Sequence, residues 1–429
     1  MNLRERSSAA QLLAGLVRRE LSAETLARAC LERIAALEPT VHAFAHLDHE
    51  KVLAEARELD RGAVRGPLHG LPIGVKDIMD THDAPTEYGS PIYRGHRPAA
   101  DAACVALART QGALVFGKTV TTEFACFPPG PTANPRNPAH TPGGSSSGSA
   151  AAVACGMLPA AFGTQTAGSV IRPAAFCGVA GYKPTWGTLP RVGVKMISDT
   201  LDTIGMFGRS VEDAALVVSA LSGRESLRAR EPAAAPRLAV CLTPQWPAAR
   251  PETRSLFDDL EARLSAAGAR AGTVSLPAAF DGLAEAHAAI WDYEIARCLA
   301  DEHRRFRDRV REPLRSQLDR GWSISPALYD AAHELARACR RALAAAMGDF
   351  DALVVPSAPG EAPMGLEATG DPVFNRIWTL LHVPAVHVPL GTGPKGLPLG
   401  VQLVGGIGED ATVLACASWV ERRLRIRAE

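Results

Sequence analysis

The densest chemical signal in this chain is Gly143-Gly144-Ser145-Ser146-Ser147-Gly148-Ser149. Three chemistries use stretches of this kind. A phosphate cradle of the P-loop type needs a lysine after its second glycine and a strand before the loop, and neither is present. A nucleophile elbow is satisfied in letters by Gly144-Ser145-Ser146-Ser147-Gly148, which would make Ser146 the nucleophile. An elbow must end a buried strand, however, and Asn137-Pro138-Ala139-His140-Thr141-Pro142 cannot be one. The third reading joins this loop to Thr164-Gln165-Thr166-Ala167-Gly168-Ser169-Val170-Ile171-Arg172-Pro173, and both to Lys76 at the end of Ile73-Gly74-Val75.

Ser145 and Ser169 stand 24 residues apart, and Gly70-Leu71-Pro72-Ile73-Gly74-Val75-Lys76-Asp77 precedes them. Three motifs in this order and at this spacing resemble the amidase signature enzymes, with a specificity no single short motif has. The resemblance continues through 86–97, Gly117-Lys118-Thr119, Phe176-Cys177-Gly178 and Gly181-Tyr182-Lys183-Pro184-Thr185 to Leu397–Gly405, and is thinnest over 223–350. It implies hydrolysis of a carboxamide by Ser169 as nucleophile, with Ser145 passing the proton and Lys76 receiving it. It also implies a cis peptide at Gly144-Ser145, a supporting role for Ser146, and an oxyanion hole built from the backbone of Thr166, Ala167 and Gly168.

The chemistry is consistent with those residue types. An amide is a poor electrophile, so the serine needs a base and the leaving amine needs a proton donor. Lysine serves as base only when neutral, which means lowering a reference pKa of about 10.4 by roughly three units, and burial can do this. Arginine could not serve; the chain has 6 lysines against 40 arginines. On a strand, Asp77 should face away from Lys76, so its charge need not oppose the shift. Small residues at 166–168 let backbone donors approach the substrate, each such donor being worth on the order of 10² to 10³ in rate.

Departures from the family pattern bear on substrate contacts. Gln165 stands where many relatives have an acid, Ala167-Gly168 where they have two glycines, and Arg172 follows the nucleophile by three positions instead of two. Cys126, Gln165 and Trp378 are the candidate substrate contacts. Trp291 and Tyr293 are further candidates for pocket walls, though core packing is the ordinary role of such rings.

The elements that must position these groups alternate. Apolar residues at helical spacing give two or three helices from Ser8 to about Glu58; Ile73–Lys76 and Ala113–Lys118 read as strands flanking a helix over 101–111. The Pro, Gly, Asn and Ser block of 128–148 is a long loop, followed by an Ala-rich helix over 149–155 and a second Gly-rich turn. Beyond a short Arg/Ala/Pro stretch at 223–236 come a strand at 238–242, a helix at 252–267, helices over 284–347 and a strand at 351–356. This predicts α/β architecture, a large mixed, mostly parallel twisted sheet covered on both faces. With the resemblance it becomes one domain over 1–429: N-terminal helices 1–60, a catalytic core 61–222, a variable helical region 223–350 and a core return 351–429.

Composition narrows the function classes. Lys plus Arg equals Asp plus Glu at 46 each, so no net field draws nucleic acid or an anionic membrane; His303, Arg304, Arg305 and Arg307 read as a solvated helix face. Nine cysteines, odd in number and never spaced CxxC, fit reduced thiols and a cytoplasmic location. No signal-like or membrane-spanning apolar run occurs. His42 and His46 share helical spacing, but no HExxH completes a metal site. The expectation is an enzyme with no metal or organic cofactor, a small-molecule amide as substrate, and a homodimer left open. Alternatives are a ureide hydrolase of the biuret or allophanate type, the glutaminase subunit of a tRNA amidotransferase, or a catalytically silent binding protein on the same fold.

Overall fold

The computed structural model describes residues 8–424; the outer ends of the expected 1–60 and 351–429 segments lie outside the described residues. Strands β1 (Phe44–His46), β2 (Pro72–Lys76), β3 (Leu114–Thr119), β4 (Ala160–Gln165), β5 (Ala180–Lys183), β6 (Thr203–Gly208), β7 (Arg237–Val240), β8 (Arg270–Thr273), β9 (Ala352–Pro356), β10 (Ala385–Thr392) and β11 (Pro398–Val404) form one sheet. Its order is β1-β3-β2-β4-β6-β5-β10-β11-β9-β7-β8.

The sheet is mixed, but not mostly parallel. Among the described residues, β3-β2, β2-β4, β9-β7 and β7-β8 pair parallel. The other six neighbours, including all of the centre from β4 to β9, pair antiparallel. The sequence misled here because a strand buried on both faces reads as an unbroken apolar or small-residue run whatever its direction. Strands β2, β4, β5 and β6 are buried at every position.

The strand β7 after the 223–236 stretch joins this same sheet through β9, so that stretch links parts of one α/β domain. Two other expectations shift locally. The single helix over 252–267 is two, Pro251–Asp258 and Leu260–Ala266, broken at Asp259. His42 ends its helix in a left-handed conformation while His46 lies on β1, so they share no helical face.

Helices cover the sheet and carry the site. Ser147–Ala154 packs on β2, β3 and β4, and Ile171–Cys177 packs on β5, β10 and β11. The latter stops at Gly178, whose φ of 74° suits a residue without a Cβ. From the helical region, Leu283–Cys298 packs against Leu314–Ser323, Pro326–Met347 and the short helix Arg376–Leu380. That contact brings a region of weak resemblance up to the loops of strongest resemblance. Among the described residues no helix is long and apolar enough to cross a membrane.

Candidate active site

Lys76 is the last residue of β2, which is held in parallel register by β3 on one side and β4 on the other. Its side chain is fully buried, and Nζ donates to Ser145 Oγ at 2.7 Å and to Thr164 Oγ1 at 2.8 Å. Burial lowers its pKa to about 7, against the opposing pull of the Asp202 carboxylate. Asp77 is engaged elsewhere: its carboxylate lies 3.1 Å from Lys118 Nζ, as the alternation of a strand requires.

The Gly144-Ser145 peptide is cis, and Gly143 is left-handed at φ 81°. A Cβ on Gly144 would lie 2.6 Å from Thr369 Cγ2, so only glycine fits that approach. Ser146 Oγ meets both backbone groups of Thr164 at 3.3 Å, donating to its carbonyl and accepting from its N–H. Thr122 N donates to the Ser145 carbonyl at 3.2 Å. Lys76, Ser145 and Ser146 are therefore brought together, clamped against the end of β4.

Ser169 lies five residues beyond Thr164, on the loop from β4 into helix Ile171–Cys177. It is the most accessible of the three expected catalytic residues, at 8% against 2% for Ser145 and 0% for Lys76. Its hydroxyl makes no protein hydrogen bond among the described residues, so the structure joins Lys76 to Ser145 and leaves Ser169 unbonded to either. Three successive carbonyls of the loop are taken: Thr166 O by His287 Nε2 at 2.9 Å, Ala167 O by Thr379 Oγ1 at 2.8 Å, and Gly168 O by Arg172 N at 2.9 Å. The N–H groups of Ala167, Gly168 and Ser169 donate to no described protein group. Gly168 is needed where it stands, since a Cβ there would fall 2.4 Å from Asn375 Oδ1.

Of the three expected substrate contacts, two are occupied by the protein itself. Gln165 is fully buried; Oε1 accepts from Val170 N and Ile171 N at 2.9 and 3.0 Å, and Nε2 donates to Thr379 Oγ1 at 3.0 Å. It braces the serine loop through its oxygen and ties that loop to Thr379 through its nitrogen. Trp378 is fully buried in helix Arg376–Leu380 and belongs to the core. Cys126 remains next to the site: its charge state bears on that of Lys76, and burial first, then Asp202, push its thiol well above the ordinary value. Beyond it, Phe127 and Trp291 pack at 5.4 Å.

Four contributors escaped the sequence reading. Thr164, the second partner of Lys76, had only its place at the end of a strand as a signal. Asp202 is buried and accepts from the Thr166 hydroxyl and, at 2.9 and 3.1 Å, from Ile197 N and Ser198 N; burial raises its pKa to about 6. Thr379 and His287 reach the loop from 212 and 121 residues away, and nothing local marks them. Arg172, noted for its shifted spacing, is a buried tether.

Possible metal ligands are elsewhere. His82, Asp83 and Asp101 cluster, but Arg109 binds both carboxylates, Lys51 also pairs with Asp83, and His82 with Asp101. A cleft of about 790 Å³ bordered by Asp77, Glu87, Arg94, Arg311 and Glu367 contains none of Lys76, Ser145 or Ser169.

Comparisons with known proteins bear on the family and the fold. The family described as Amidase matches residues 25–414. A protein of Acidothermus cellulolyticus, named as one of the subunits of glutamyl-tRNA(Gln) amidotransferase, is 34% identical over 98% of this chain and 95% of its own length. Among solved structures, an amidase superposes with a TM-score of 0.88 at 32% identity, covering 97% of this chain and 100% of that one. The native peptide amidase of Stenotrophomonas maltophilia gives 0.82 at 30% identity, covering 99% and 98%.

Proposed function

Because the chain belongs to the amidase signature family of hydrolases acting on carbon-nitrogen bonds, we propose that it hydrolyses a small or aryl carboxamide to carboxylate and ammonia through an acyl-enzyme on Ser169. The observation that carries this reading is the 2.7 Å contact of Lys76 Nζ with Ser145 Oγ, made by a buried amine whose pKa of about 7 leaves much of it neutral at working pH.

Ser169 Oγ attacks the carbonyl carbon and yields its proton to Ser145, whose own proton passes to Lys76 Nζ. The N–H groups of Ala167 and Gly168, two of the three expected residues, joined by that of Ser169 in place of Thr166, receive the negative oxygen, which a fixed set of donors stabilises better than water does. Collapse breaks the carbon-nitrogen bond, and the proton returns through Ser145 to the departing nitrogen, releasing ammonia. Water then attacks the ester by the same relay, releasing the acid and restoring Ser169.

The test is ammonia release by the purified chain from aliphatic, aryl, amino-acid and urea-type amides, with Ser169→Ala beside it. Activity in the wild type alone supports the assignment; equal activity in both sinks Ser169 as nucleophile. A second reading, the glutaminase subunit of an amidotransferase, is favoured by the names of the sequence relatives. It predicts release from glutamine that rises when partner subunits are added, which the same panel measures.

A further inference from the structure

We propose that His287 is a positioning residue of the oxyanion loop, holding the Thr166–Ala167 peptide so that the Ala167 N–H faces the reacting carbonyl. The inference rests on the amidase reading above.

In a trans peptide the C=O and the following N–H point in opposite directions, and the only cis bonds among the described residues are elsewhere, at Gly144-Ser145 and Glu312-Pro313. Whatever holds the Thr166 carbonyl therefore aims the Ala167 N–H. That holder is His287, with Nε2 at 2.9 Å. A carbonyl oxygen only accepts, so Nε2 carries the proton and Nδ1 is bare; Nδ1 is buried with no hydrogen-bond partner.

The ring keeps this tautomer across the working range. His287 is fully buried, and desolvation lowers its pKa to about 3, outweighing the contrary effect of its bond to Thr166. It therefore donates as a neutral imidazole, adding no charge beside a developing oxyanion.

The grip on Thr166 is double. Asp202 accepts from its hydroxyl while His287 takes its carbonyl, so the residue is held at two polar ends. The next carbonyl, Ala167 O, is held by Thr379, on the short helix against which the His287 helix packs. One helix pair thus turns two successive carbonyls away from the site and two N–H groups toward it. Without His287 the Thr166 carbonyl would be a buried acceptor with no partner, which costs enough for the peptide to rotate and find one. Rotation carries the Ala167 N–H out of line.

The test compares His287→Gln with His287→Asn. Glutamine places its Nε2 close to where the histidine Nε2 sits; asparagine reaches only the Nδ1 position. Both are polar and neutral, so burial and charge are nearly matched. Using whichever amide the wild type cleaves best, His287→Asn should lower kcat by about 10² with KM within about twofold, the loss expected for one oxyanion donor. His287→Gln should restore kcat to within about tenfold of wild type. A boronic acid analogue of the substrate acid, which forms a tetrahedral anion on serine, should lose affinity in His287→Asn by the same factor as kcat/KM, while product binding stays unchanged. The inference is overturned if the asparagine variant turns over like wild type, if glutamine is no better than asparagine, or if the change lies in KM alone. A wild type inactive on every amide would instead overturn the amidase reading, and this inference with it.

Discussion

Arg172 donates through Nη2 to the Gly144 carbonyl at 2.7 Å, tying the helix that follows one serine loop to the peptide that precedes the other serine. The same guanidinium donates to Gly370 O at 2.7 Å and to Thr369 Oγ1 at 3.1 Å. It is 5% exposed, and burial lowers its pKa to about 9. Arg172→Met should leave these carbonyls without their donor and destabilise the protein by roughly 3 kcal/mol or more. Arg172→Lys should recover little, because an ammonium cannot fork to two directions in a plane. Urea midpoints at constant slope measure both.

The pH dependence of kcat/KM should report Lys76. The relay needs the neutral amine, and the neutral fraction grows as pH rises through the pKa of about 7, so activity climbs with pH across that value and levels above it. Lys76→Arg stays charged at every accessible pH and should lose on the order of 10³-fold or more in kcat, without regaining activity at alkaline pH. A wild-type profile flat across the neutral range would remove Lys76 as base.

Asp202 acts on that same profile from outside the trio. Its negative charge favours protonated Lys76, so Asp202→Asn should let the lysine lose its proton earlier and move the rising limb to lower pH. The plateau should fall at the same time, by about tenfold, because an amide whose oxygen keeps the Ile197 and Ser198 N–H donors presents its NH2 to the Thr166 hydroxyl, which loses its charged acceptor and holds Thr166 less firmly. Full pH profiles of the variant and wild type separate the two effects.

Gly168→Ala should be folded and nearly inactive. Its Cβ would fall 2.4 Å from Asn375 Oδ1 and 2.8 Å from Pro372 Cβ, and relief comes most easily by moving the serine loop. A displacement of about 1 Å costs on the order of 10² in rate. Adding Asn375→Ala, which removes the nearer obstacle, should return part of the activity; kcat for the single and double variants decides this.

Lys76, Ser145 and Ser169 stood out as candidates because they carry unusual types at local spacing: a rare lysine closing a strand, and two loops of glycine and serine within 24 positions. The supporting residues did not, because their signal is spatial. Thr379 and His287 are ordinary residues on ordinary helices until the fold sets them against the carbonyls of Thr166 and Ala167. Gln165 was read as a substrate contact from its position in the motif, but it turns inward to bind Val170 and Ile171. That choice depends on how a tight loop folds back on itself, which periodicity does not describe. The direction of the central strands was hidden for a similar reason, since β4, β5 and β6 are buried at every position and show no alternation of exposed and buried faces.

The strand order has a consequence for synthesis on the ribosome. Strands β5 and β9 are neighbours of β10 and β11 respectively, and not of each other. Without the segment 385–404 no strand links β1-β3-β2-β4-β6-β5 to β9-β7-β8, and β5 and β9 each lack the neighbour that the finished sheet gives them. Open edges recruit other strands, and non-local closure is slow. The last hairpin is thus the clasp of the molecule: a chain that ends before residue 385 would carry Lys76, Ser145 and Ser169 and yet offer two open strand edges to its neighbours.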